Sequence, residues 1–185
     1  MPCPGEGIQT EVTLQVQHRF PAHLPELLKL AAANDSDAEY ELARMYANGY
    51  GVQKSVQEEK KWLERSARHG NVQAQYEYGV ALRDGHGTVQ DYEGARKWIQ
   101  LAAESGNGQA QLALGLMYRT GLGIPIDNIK AYVWLNVAPA QGVPDAIGAR
   151  DTVLPRLSPA ELQEAQAEAR KMSAIYLPTP PAPAQ

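Results

Sequence analysis

Ala110-Gln111-Leu112-Ala113-Leu114-Gly115-Leu116-Met117-Tyr118-Arg119-Thr120-Gly121-Leu122-Gly123-Ile124 decides the fold, because the chain carries this pattern three times. The earlier copies read Ala38-x3-Leu42-Ala43-x2-Tyr46 before Gly49 and Gly51, and Ala74-x3-Tyr78-Gly79-x2-Leu82 before Gly85 and Gly87, at a constant step of 36 residues. Apolar side chains at i, i+4 and i+8 fall on one face of a helix. The residue beside them is small in every copy: Ala43, Gly79 and Gly115. Glycine inside a helix costs about 1 kcal/mol relative to alanine, so a neighbouring helix packed at close range is the expected compensation. The Gly-x-Gly that follows predicts a left-handed helix end at Gly49, Gly85 and Gly121.

Downstream of each turn stands a good N-cap residue, Ser55, Asp91 or Asp127. Trp62, Trp98 and Trp134 follow, trailed by the small residues Ser66, Ala102 and Ala138, and Gly70, Gly106 and Gly142 close the segments. A fixed period of this length predicts stacked helical hairpins, none able to bury its apolar face alone. In such a stack the tryptophans are core anchors wedged between hairpins. The first unit departs from the others, with Ser55 in place of aspartate and Glu59 in place of Ala95 and Ala131, which predicts looser packing of that hairpin.

The flanks extend the frame. Leu27 to Ala33, with Asn34 and Asp35, matches the end of a second helix and reads as a half-repeat at the N-terminal end. Ala146–Leu154 is expected to form a helix stopped by Pro155. Ser158-Pro159-Ala160-Glu161 has capping-box spacing with proline in the first turn, and opens a last helix running through Lys171 with a polar outer face. The expected organisation is a non-repeat arm over residues 1–23, a solenoid over 24–173 and a Pro-rich tail over 174–185. Within the arm, Ile8, Thr10, Val12, Leu14 and Val16 alternate with polar residues, a strand signal over residues 8–16. That strand either pairs with another chain, its own copy (self-association) or a partner's sheet edge, or lies as an extended arm along the first helices.

Composition bounds the function. The chain has 185 residues, 21% of them charged, and a net charge of −4. It shows no basic run longer than three residues, so nucleic acid is not an expected partner. Cys3 is the single cysteine, which rules out an internal disulfide. No apolar run approaches the roughly 18–20 residues needed to cross a bilayer, and no signal peptide is visible. The default compartment is therefore the cytoplasm, or the periplasm if a leader was removed. His18, His23, His69 and His86 share no ligand-like spacing, and no phosphate loop or nucleophile elbow is present. We expect no catalytic, metal or cofactor site. His86, between Gly85 and Gly87, reads as an exposed turn residue.

The unit Ala-x3-Leu-Gly-x2-Tyr-x2-Gly-x-Gly-(Val/Ile), followed by Asp, Ala-x2-Trp, Ala-Ala and Gly-Asn, resembles the Sel1-like repeat, a relative of the tetratricopeptide repeat. Residues 110–172 resemble the closing segment of bacterial members, with Ala131-Tyr132-Val133-Trp134-Leu135-Asn136-Val137-Ala138 ahead of Arg150-Asp151. The resemblance implies an all-α, right-handed α-solenoid of antiparallel helix hairpins. It further implies a non-catalytic adaptor or scaffold for another protein, or an accessory subunit of an enzyme or envelope complex. The first helices of such a stack line its concave side. Their non-core positions here are Glu41, Arg44, Asn48, Glu77, Arg83, Asp84, Arg119 and Thr120, with Tyr40 and Tyr76 beside them. Arginine and tyrosine carry much interface energy, so this set is the expected binding face for a partner peptide or helix. Tyr40 and Tyr76 align with Leu112 and are expected to be partly buried.

Overall fold

The computed structural model describes residues 23–143 and 145–176. The expected strand at 8–16, the rest of the arm before His23, and the tail from residue 177 lie outside the described residues. Nine α-helices stand in chain order among the described residues, with no strand: α1 (Leu24–Ala32), α2 (Ser36–Asn48), α3 (Val56–Arg68), α4 (Val72–Asp84), α5 (Tyr92–Glu104), α6 (Gly108–Thr120), α7 (Asn128–Val137), α8 (Asp145–Asp151) and α9 (Pro159–Tyr176). Helices α2/α3, α4/α5 and α6/α7 form three hairpins, and each hairpin packs on the next to build a solenoid. None of these helices is long and apolar enough to cross a membrane.

Local chemistry sets every helix boundary in the repeats. The N–H groups of Ala38, Ala74 and Ala110 donate to the side chains of Asp35, Asn71 and Asn107 at 2.9, 2.8 and 2.9 Å, which satisfies one orphan donor at the start of each first helix. Ser55, Asp91 and Asp127 cap the second helices in the same way. Gly49, Gly85 and Gly121 end the first helices at φ of 76, 73 and 79°, as the Gly-x-Gly pattern predicts. Asn34 takes a φ of 64° at the position where Gly70 and Gly106 take 95 and 87°. That correspondence gives α1 the place of a second helix of the repeat, one period before α3.

The core runs along the solenoid axis as a ladder of equivalent residues. Ala38, Ala74, Ala110 and Ala146 are all buried, as are Trp62 and Trp134. Trp98 meets Tyr78 edge-on at 5.6 Å. A methyl group on Gly79 would lie 2.7 Å from Ile99 Cγ1, and one on Gly115 would lie 2.7 Å from Leu135 Cγ. The small residues of the first helices therefore exist to let the second helices approach.

The C-terminal third differs in detail from the expectation. Pro139 has no N–H to continue the ladder, so α7 stops at Val137 and tightens into a 3₁₀ turn over Ala138–Gln141. Helix α8 ends at Asp151 rather than Leu154. The N–H of Val153 turns back to the Arg150 carbonyl at 2.9 Å, and Pro155 lies inside the 3₁₀ turn Leu154–Arg156 instead of terminating α8. The capping box forms as read: the Ser158 N–H donates to Glu161 Oε2 at 2.8 Å, and the Glu161 N–H donates to Ser158 Oγ at 3.3 Å. Helix α9 packs on α7 and continues through Tyr176, so residues 174–176 are helical.

Candidate binding groove

Helix α3 lies behind α2 and α4 and shows between them. A recess of about 530 Å³ opens between α3 and α4, bounded by Glu59 and Leu63 of α3, Tyr76, Glu77, Val80, Ala81 and Asp84 of α4, and the turn residues Gly85 and His86. A smaller recess of about 30 Å³ adjoins it through the shared residues Glu59, Leu63 and Glu77, and reaches Ala43, Arg44 and Ala47 of α2. The floor is apolar, because Leu63 and Ala81 sit at core positions of their helices. Three carboxylates, Glu59, Glu77 and Asp84, stand around it. His86 leans over the edge, its Nε2 3.6 Å from Glu59 Oε2.

The walls are braced by polar contacts between adjacent hairpins. Tyr40 of α2 donates its hydroxyl proton to Glu77 Oε1 of α4 at 2.7 Å, and Gln73 Nε2 donates to the same oxygen at 2.8 Å. Burial, with the Glu77 bond and charge added, pushes the Tyr40 phenol far above the ordinary tyrosine range. The Tyr76 phenol is also pushed up by burial, against the pull of the Arg83 charge. Arg83 grips Asp84 with two hydrogen bonds, Nε to Oδ1 at 2.7 Å and Nη2 to Oδ2 at 3.0 Å. That grip holds the Asp84 carboxyl below its usual value.

The structure gathers some residues of the expected binding face and scatters others. Tyr76, Glu77 and Asp84 line the larger recess, Arg44 lines the smaller one, and Tyr40 braces both from α2. Glu41 and Asn48 sit beside Arg44, the first paired with its guanidinium at 3.1 Å and the second donating to its carbonyl at 2.8 Å. Arg119 and Thr120 are not brought to the groove. Arg119 Nη1 donates to Thr152 Oγ1 of the closing segment at 2.7 Å, and the Thr120 hydroxyl donates back to the Leu116 carbonyl at 2.8 Å.

Glu59, Leu63, Val80, Ala81 and His86 complete the lining but do not belong to the expected face. A signal for two of them was present in the repeat itself. Glu59 stands where the other units have alanine, and His86 stands where the third unit has Leu122. Among the described residues no group of three His, Cys, Asp or Glu side chains is arranged to hold a metal ion. What the groove offers is an apolar floor, acceptor oxygens and an imidazole.

The sequence model of the Sel1 repeat matches residues 36–71, 72–107 and 108–142, the three hairpins described above. The crystal structure of a Sel1 repeat protein from Oxalobacter formigenes superposes with a TM-score of 0.66 at 32% identity, covering 70% of this chain and 97% of that one. The structure of c5321, a protective antigen of uropathogenic Escherichia coli strains with an SLR fold, superposes with a TM-score of 0.55 at 24% identity, over 86% of this chain and 45% of that one. The second likeness bears on the fold alone. No curated protein matches the chain.

Proposed function

The chain belongs to the Sel1 repeat family, and from that membership we propose that it is a scaffold or adaptor that binds a partner peptide or helix in the concave groove of its first helices. Proteins of this family generally mediate protein–protein interactions and are typically non-catalytic. The observation that carries the finer reading is the recess between α3 and α4, with its small extension toward α2, where an apolar floor stands open. An apolar floor ringed by a few polar groups suits an anchor side chain from a partner. The carboxylates around it would repel a phosphate backbone, which argues against a nucleic-acid ligand there.

Crosslinking and affinity capture from the native cell test this reading when the wild type is run beside a filled groove. Val80→Leu with Ala81→Met installs the residues that the third hairpin carries at the same positions, Leu116 and Met117. The hairpin therefore keeps side chains that the repeat already accommodates. We expect the captured partner to be lost from the filled variant while its helical spectrum is unchanged. A partner captured equally by both proteins would move the binding surface elsewhere on the solenoid.

A further inference from the structure

We infer that the recess between α3 and α4 is a subsite for one basic side chain, an arginine or lysine carried by the partner segment beside an apolar residue. The inference rests on the peptide-binding reading above and specifies its chemistry. Three carboxylates line this recess and no lysine or arginine does, while Arg44 of the small adjoining recess is paired with Glu41 at 3.1 Å. Asp84 is already gripped by Arg83 at both oxygens. The bonds Glu77 accepts from Tyr40 and Gln73 both fall on Oε1, which leaves Oε2 to the recess. Glu59 is the decisive residue. Its side chain is only 20% exposed, and its one ion-pair partner among the described residues is His86 at 3.6 Å. A partly buried carboxylate that faces an open recess is a ready acceptor for a cation that enters it.

The repeat does not need that carboxylate, because Ala95 and Ala131 occupy the same position in the next two hairpins. The groove is also shaped for the rest of a basic side chain. An arginine or lysine has an apolar stem that would lie along Leu63 and Val80, and a charged head that would reach Glu59 and Glu77. Tyr76 stands on the same wall. Charge and shape therefore select the same occupant.

Selection from a random-peptide display library on the full chain tests this, with the Glu59→Ala variant selected in parallel. Alanine is the repeat's own residue there, and an unchanged helical spectrum shows that the variant folds. We expect one strongly enriched arginine or lysine next to an apolar position on the wild type, and loss of that enrichment on the variant. A synthetic peptide from the selection should lose about ten-fold in affinity when its arginine is replaced by neutral citrulline, and the same step should vanish on Glu59→Ala. Peptides without a basic preference, or with a preference that survives Glu59→Ala, would overturn the subsite and leave peptide binding standing. No selected peptide together with no captured partner would overturn both.

Discussion

The first seam of the solenoid, where α4 meets α2 and α3, and the second, where α6 meets α4 and α5, are built from the same positions 36 residues apart. In the first they are Glu59, Glu77, Val80, Ala81, Asp84 and His86; in the second they are Ala95, Ala113, Leu116, Met117, Thr120 and Leu122. Every ionisable residue of the first seam is exchanged for an apolar or neutral one, and the two small apolar residues are exchanged for larger ones. Met117 is 2% exposed and Ala95 is 0% exposed, so these two positions of the second seam are filled, while Thr120 is exposed. The backbone frame is constant, so the groove of the first seam is a property of its side chains. A repeat protein can thus confine recognition to one interface while the others hold the stack together.

Exchanging residues across the seams gives the largest expected effect. Ala95→Glu places a carboxylate at a fully buried position with Ile99 and Gly79 packed around it. No groove is available there to solvate it, so we expect a loss of about 3–5 kcal/mol in urea denaturation. The reciprocal Glu59→Ala should stay within about 1 kcal/mol of the parent. Equal effects in the two directions would mean that the seams are not differently packed.

A second difference lies on the buried side of the first helices. Gln75 and Gln111 each donate Nε2 to the carbonyl of the residue eight earlier, Ala67 and Ala103, at 3.2 Å. The first unit has Glu39 at this position, which has no proton to give when ionised. Arg65 therefore crosses from α3: its Nη2 donates to the Ala31 carbonyl at 3.0 Å and pairs with Glu39 Oε1 at 2.8 Å. His69 Nδ1 lies 2.6 Å from Glu39 Oε2. One neutral amide has been replaced by the Arg65–Glu39 ion pair and the His69 imidazole, a triad that ties α1, α2 and α3 together.

Glu39→Ala leaves Arg65 and His69 facing an empty buried site. Arg65 keeps some contact with water, at 37% exposure, so we expect a loss of about 2–4 kcal/mol, short of a fully buried broken pair. Restoring the repeat's own combination with Glu39→Gln and Arg65→Leu, matching Gln75 and Leu101, should recover all but about 1 kcal/mol. Failure to recover would show that the triad is needed at the solenoid end for more than its charge balance.

Much of this was legible in the sequence, and the reasons for the exceptions are physical. Caps, left-handed glycines and the capping box depend on a few adjacent residues, so Ser55, Gly85 and the Ser158–Glu161 pair could be read directly. The tryptophan and alanine ladders were legible because repetition turns each position into three observations. The groove was not, because Glu59 and Leu63 reach the face of the first helices only where α2 and α4 leave α3 uncovered. Arg119 lies outside the recess for a related reason. It occupies the repeat position of Arg83, but its partner Thr152 belongs to the closing segment, outside the period. Helix α8 ends before Leu154 because a tightening at Val153 precedes Pro155.

The brace between Tyr40 and Glu77 offers the smallest and most specific way to separate the seams, since Tyr76 and Ala113 at the same positions of the second seam cannot form it. Tyr40→Phe removes one half-exposed hydrogen bond to a carboxylate and should cost about 1 kcal/mol. Its pH dependence is more telling than its size. The Tyr40 phenol is held above the ordinary range, and the Tyr78 phenol is pushed up to about 12 by burial and by the charge and hydrogen bond of Glu64. A folded-state value raised above the unfolded one stabilises the protein fully below the unfolded value of about 10. That contribution drains away as pH climbs toward the folded value. The wild type should therefore hold its stability up to pH of about 10 and lose it progressively above. Tyr40→Phe, lacking one of the phenols that must ionise, should show a shallower alkaline fall in urea midpoint. Superimposable alkaline limbs would mean that the hydroxyl of Tyr40 is not held by Glu77 in solution, and the first seam would then be open on both sides of α3.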